Sequence, residues 1–192
     1  MGLLMGRDAK DNSIRQKGVS KTMILYTSKT SHYSTPKNAS FAGIGRDNIR
    51  YIRNDSFGKM DPSHLLESIE EDLAKGYTPF YVNSTAGTTV LGAFDDINPI
   101  ADICEKHKIW LHIDGAYCGA VIFSDKYKHL VDGAERSDSF SFNAHKMLGT
   151  PLSSSIFITK HKEQLVKSFS NEAEYLYQTG AEDYDLGKTS IQ

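Results

Sequence analysis

Two short stretches of this sequence carry side chains that could do chemistry together: Trp110 to Tyr117, which contains His112 and Asp114, and Ser139 to Gly149, which contains Asn143, His145 and Lys146. In the first, Ile109, Leu111 and Ile113 alternate with Trp110, His112 and Asp114, the two-residue period of a strand. An aspartate closing such an apolar run is costly to bury unless it meets a cation, a metal or hydrogen-bond donors. The second stretch ends a similar short strand at Asn143 and sets Lys146 just beyond it, before Gly149 and Pro151 stop regular structure. A lysine in that position is either a snorkelling surface residue or a functional amine, and taken alone its type favours the surface.

Taken together, the two stretches change that balance. A carboxylate and an amine on neighbouring strand ends of an α/β sheet are what pyridoxal phosphate demands: a lysine to form a Schiff base with its aldehyde, and an aspartate to hold its ring nitrogen protonated. His112-Ile113-Asp114-Gly115-Ala116-Tyr117 and Asn143-Ala144-His145-Lys146 resemble the His-Val-Asp-Ala-Ala and Asn-Pro-His-Lys motifs of the group II pyridoxal-phosphate-dependent amino acid decarboxylases. That family includes glutamate, cysteine sulfinate and aromatic amino acid decarboxylases. The run Thr85-Ala86-Gly87-Thr88-Thr89-Val90-Leu91-Gly92-Ala93-Phe94-Asp95 is close to another string of the family, and Ser31-His32-Tyr33-Ser34 resembles the segment whose histidine stacks on the cofactor ring. By its own type, His32 in a serine-rich loop would equally be a solvated turn residue. The resemblance implies catalytic roles for Lys146, His32 and Asp114. It further implies cofactor contacts from Thr85, Thr89 and Ala116, with Asn143 and His145 helping to hold the phosphate. Two departures, Ala144 for proline and Gly115 for alanine, replace no reacting group.

The elements that must position these residues read as α/β. Residues 22–28, 48–54, 78–83, 109–114, 139–143 and 153–159 are expected strands. Between them, Asp61-Pro62 starts a helix with Leu65, Leu66, Ile69 and Leu73 inward, and Ile97, Ile100, Ala101, Ile103 and Cys104 mark the apolar face of another. A further helix is expected from Ser34 or Pro36 to Gly43, and one over residues 161–169 with Leu165, Val166 and Phe169 inward. The tail from Tyr175 to Ser190 reads as polar loop. In Ile49 to Arg53, Ile49 and Tyr51 are expected to alternate with Arg50 and Ile52. Strand, loop, helix, strand is a parallel crossover, and such sheets bind ligands at the carboxyl ends of their strands. The resemblance implies the large domain of a fold type I pyridoxal-phosphate enzyme, a mostly parallel sheet flanked by helices and incomplete at both ends. Residues 1–192 are then a partial cofactor-binding domain, with the Gly/Ser-rich phosphate loop expected before Met1 and a substrate-carboxylate arginine and small domain expected after Gln192.

Composition bounds the partners. At 192 residues, 39% hydrophobic and 24% charged, the chain can bury a core. A net charge of -2 provides no field for a polyanion, so nucleic acid is not implied. Cys104 and Cys118 make neither a disulfide framework nor a metal motif, and a reducing cytoplasm is the default. The apolar run at Met1 to Met5 is too short for a membrane span. The expected activity is pyridoxal-phosphate-dependent decarboxylation of an acidic or similar small polar L-amino acid, with a homodimer implied for the full-length protein. Two alternatives stay open: a catalytically silent homologue acting as a structural partner, and a metal-dependent hydrolase using His112, Asp114 and His145, for which no third ligand stands at a recognisable spacing.

Overall fold

The computed structural model describes residues 1–170. Six strands, β1 (Met23–Ser28), β2 (Ile49–Ile52), β3 (Thr78–Thr85), β4 (Trp110–Gly115), β5 (Ser139–Asn143) and β6 (Ser155–Thr159), form one sheet in the order β2-β1-β3-β4-β5-β6. The first five run parallel, and β6 closes the edge antiparallel to β5. The helices are α1 (Gly2–Lys10), α2 (Ile14–Lys17), α3 (Ser34–Phe41), α4 (Pro62–Ala74), α5 (Ile97–His107), α6 (Ala144–Met147) and α7 (Lys162–Phe169).

The central strands are buried on both faces, and each parity of residue serves a different layer, as a parallel sheet covered by helices requires. Ile24, Tyr26, Val82, Leu111 and Ile113 pack with Leu65, Ile69, Ile97 and Ile100 of α4 and α5. Their strand neighbours Met23, Leu25, Tyr81 and Trp110 pack with Leu3, Met5, Ile14 and Ala39 of α1, α2 and α3. The alternation read from Ile109 to Asp114 therefore separates two cores. Asp61 caps α4 as its sequence implies, accepting from the N–H groups of Ser63 and His64 with Pro62 in the first turn.

Several elements differ from the sequence reading. Leu73 is 46% exposed, and Asp72 takes the buried position instead. Its carboxylate accepts from Tyr26 Oη at 2.9 Å and from Arg50 in a two-pronged pair, so a polar network occupies a place that helical spacing alone gives to an apolar residue. In β2, Ile49 and Ile52 are both buried while Tyr51 is 44% exposed, because this short edge strand is covered on one side at each end. In α7, Val166 faces outward and Ser168 inward, with Leu165 and Phe169 packed against the second core. Strand β3 runs on to Thr85 and delivers that residue from a strand end. The tail from Tyr175 to Ser190 lies outside the described residues.

Candidate functional site

Because β1, β3, β4 and β5 run parallel, their carboxyl ends meet on one edge of the sheet. A cleft of about 520 Å³ opens there, lined by His32, Asp114, Ala116, Asn143 and Lys146 together with His112 on its floor. A small recess adjoins it, lined by Thr85, Thr89 and again His32, Asp114, Ala116 and Lys146. Seven of the eight residues singled out in the sequence thus line the cleft or the recess, which share His32, Asp114, Ala116 and Lys146. The eighth, His145, turns aside: its Nδ1 accepts from the Ser154 N–H at 3.0 Å, and it lines neither opening.

Asp114 closes β4 and accepts from the Ala116 N–H at 3.0 Å, a short turn that fixes the carboxylate against the strand end. Gly115 between them is a packing requirement: a Cβ there would meet Gly119 Cα at 2.8 Å and Phe140 Cζ at 2.9 Å. That explains the departure from alanine in the motif it resembles. Lys146 stands in α6, one short helix beyond β5, with an exposed side chain that borders both openings. His32 follows β1, and Ser34 places it: the Ser34 N–H donates to His32 Nδ1 at 3.3 Å, and Ser34 Oγ lies 2.9 Å from the same nitrogen. A main-chain N–H can only donate, so in the neutral ring the proton sits on Nε2.

The loop after β3 is closed by Asp95. Its carboxylate accepts from the N–H groups of Thr85 and Met60, each at 2.7 Å, and burial pushes its pKa up to about 6 against the pull of those donors. Gly87 in this loop has φ +86, and a Cβ would lie 2.2 Å from Cys118 Cβ, so no other residue fits without rearrangement. Thr85 Oγ1 is buried and has no hydrogen-bond partner among the described residues.

Sequence reasoning had no role for His112 beyond the metal alternative. The structure buries it between the rings of Tyr81 and Phe157, centroids 5.9 and 6.1 Å away. Its Nδ1 lies 2.8 Å from Ser139 Oγ, which also accepts from Trp110 Nε1 at 2.9 Å, and its Nε2 lies 3.3 Å from Ser141 Oγ. Burial pushes its pKa down to about 4, against the opposing pull of Asp114. The ring on the cleft floor is therefore neutral at physiological pH. The signal was present as one strand parity carrying Trp110, His112 and Asp114, but nothing in the sequence shows that Ser139 and Ser141 stand opposite. Among the described residues, no group of three His, Cys, Asp or Glu side chains could hold a metal ion.

The site fits the cofactor implied by the sequence motifs. An amine and a carboxylate border one cleft, the small Ala116 lines it between them, and Thr85, whose buried hydroxyl has no partner among the described residues, lines the adjoining recess. Comparison with known proteins agrees. Residues 5–192 match the family described as "Pyridoxal-dependent decarboxylase conserved domain". The chain is 43% identical over 185 residues to the acidic amino acid decarboxylase GADL1 of Bos taurus, covering 93% of this chain and 36% of that protein. It is 43% identical over 157 residues to the cysteine sulfinic acid decarboxylase of Homo sapiens, covering 81% of this chain and 32% of that protein. The crystal structure of mouse CSAD superposes with a TM-score of 0.89 at 35% identity, over 98% of this chain and 39% of that one. That of Oryza sativa TDC with PLP and tryptamine gives 0.86 at 31% identity, over 92% and 37%. The chain spans about a third of the length of these relatives.

Proposed function

The chain belongs to the pyridoxal-dependent decarboxylase family, and from that premise we propose that the protein it contributes to removes the α-carboxylate of an acidic L-amino acid as carbon dioxide. Its sheet is that of a fold type I pyridoxal-phosphate enzyme. One observation carries the proposal: Asp114 and Lys146 border the same cleft from the ends of adjacent parallel strands.

When bound, pyridoxal 5'-phosphate supplies the electron sink that makes loss of carbon dioxide from an amino acid feasible. The chain's own residues divide the remaining work. Lys146 offers the amine that holds the cofactor aldehyde. Asp114, held by the Ala116 N–H, keeps a proton on the ring nitrogen, and its field strengthens as the cleft excludes water. His32 and Ala116 line the cleft, where a flat imidazole ring would stack on the bound cofactor and the small alanine would leave room for it. Thr85 and Thr89 offer hydroxyls from the recess. Asn143, which lines the cleft, would help to hold the phosphate, whereas His145, engaged through Nδ1 by Ser154 and lining neither opening, could reach it only through Nε2.

The names of the relatives, an acidic amino acid decarboxylase and a cysteine sulfinic acid decarboxylase, support aspartate, glutamate or cysteine sulfinate as the substrate class. Nothing in the site favours a silent homologue, since Lys146, Asp114 and His32 all border the cleft. Residues 1–192 form the central part of the cofactor-binding domain on this reading, consistent with the share of the relatives they span. A homodimer is supported by exposed apolar side chains such as Phe57, Val90, Leu91 and Leu152. Placement in the cytoplasm is supported by the free thiols of Cys104 and Cys118. No helix among the described residues is long and apolar enough to cross a membrane.

The test is carbon dioxide release by the full-length protein from L-aspartate, L-glutamate and L-cysteine sulfinate in turn, beside its Lys146→Ala variant. Release from at least one acid, abolished in the variant, is expected. Release from none, or equal release by the variant, would contradict the proposal.

A further inference from the structure

We infer that Asp95 is a positioning residue that fixes Thr85 toward the cofactor, an inference that rests on the cofactor reading above. Asp95 is 3% exposed, and its partners are neutral donors: the Thr85 N–H at 2.7 Å, the Met60 N–H at 2.7 Å and Ser84 Oγ at 3.4 Å. The neighbouring cation Lys59 is engaged with Asp96 at 2.8 Å. A carboxylate buried without a cation in hydrogen-bond contact is expensive unless donors compensate it, and here the donors are the main-chain N–H groups that it holds in place.

What it holds is the end of β3. The Asp95 N–H donates to Thr85 O at 3.0 Å while the Asp95 carboxylate accepts from the Thr85 N–H, a reciprocal pair that closes the intervening loop. Inside that loop the N–H groups of Gly87 and Thr88 both donate to Ala93 O, and Thr88 Oγ1 accepts from the Ala93 N–H at 3.1 Å. The loop is thus a closed ring hung on one carboxylate, and the same carboxylate ties it to the chain at Met60.

The hydroxyl that this ring carries is the unusual one. Thr85 Oγ1 is buried and has no partner among the described residues, and Thr85 lines the recess bordered by Lys146 and Asp114. A buried hydroxyl without a partner is unfavourable until a ligand meets it. With the main chain of Thr85 bonded on both sides to Asp95, its side chain is aimed by Asp95, which itself lines neither opening.

The inference is tested by titrating the full-length protein with pyridoxal phosphate and reading the dissociation constant from the visible band. The parent, Thr85→Val, Asp95→Asn and the double variant are compared, with thermal melting as a check of folding. Each single change is expected to weaken binding about tenfold and to displace the band in the same way. In the double variant the effects should not multiply, because Asp95 acts through the group that valine has removed. Parent-like binding by Asp95→Asn, or losses that multiply to about a hundredfold in the double variant, would overturn the inference. If Asp95→Asn does not fold, Asp95→Glu keeps the carboxylate while displacing Thr85 and carries the same comparison. Absence of any band in the parent overturns the cofactor reading and this inference with it, whereas a normal parent with uncoupled variants overturns the inference alone.

Discussion

Asp114 and His112 stand two residues apart on the same strand face, and the carboxylate acts on the charge of the imidazole. Asp114 favours the protonated imidazole, while burial, the larger effect, suppresses it. Replacing Asp114 with Asn should therefore lower the His112 pKa below its present value of about 4, as followed by NMR of the imidazole; an unchanged or higher value would show that the two do not communicate. In the full-length protein the same substitution should reduce decarboxylation on the order of a hundredfold or more, since a preorganised charge at the ring nitrogen is lost. Asp114 was legible in the sequence because it closes an apolar run, and Lys146 only through its pairing with Asp114 and the Asn143-Ala144-His145-Lys146 motif, since an exposed lysine just past a strand is ordinary by itself. Asp95 was not, because its partners are main-chain N–H groups of Met60 and Thr85, which have no side-chain signature. The placement of His145 was hidden for the same reason, its partner being the Ser154 main chain.

Helix α4 shows which features of an element sequence can and cannot disclose. Its start was legible in Asp61-Pro62, and Asp61→Ala should cost about 1 kcal/mol of unfolding free energy by removing acceptors for the Ser63 and His64 N–H groups. Its inward face was read from apolar spacing, which selected Leu73 and missed Asp72. The network that Asp72 forms with Tyr26 and Arg50 brings together three elements distant in sequence, so local periodicity contains no trace of it. Asp72→Asn should cost roughly 3 kcal/mol in chemical denaturation, because Arg50 is left without its charge partner and the Tyr26 hydroxyl loses an ionised acceptor. A loss no greater than that of Asp61→Ala would mean that the network is structurally idle. The β3–α5–β4 crossover was legible because both strands are apolar runs and the helix has one clear face. The antiparallel turn of β6 was not, because direction depends on the connection through α6 and on edge pairing with β5.

For the molecule as a whole, two buried titrating groups pull stability in opposite directions with pH. His112 has an ordinary value of 6.5 and a folded value of about 4, so between these the unfolded state binds the extra proton and stability falls as pH drops through the window. Its full contribution is present above about pH 6.5, and the loss by pH 4 is on the order of 3 kcal/mol. Asp95, with an ordinary value of 3.8 and a folded value of about 6, binds its proton more tightly when folded, so its contribution is full below pH 3.8 and is lost as pH rises through 6. His112→Asn should accordingly remove much of the acid-side decline, seen as a flatter dependence of the denaturation midpoint between pH 6.5 and 4 than in the parent. An identical slope would remove His112 as its source. The central claim is that Lys146 is the amine that meets the cofactor. Its most direct measurement is borohydride reduction of the full-length protein in the presence of pyridoxal phosphate, followed by peptide mapping. A pyridoxyl group fixed on Lys146 and absent from Lys146→Ala is the predicted result; modification spread over surface lysines, with Lys146 unlabelled in a folded protein, would contradict it.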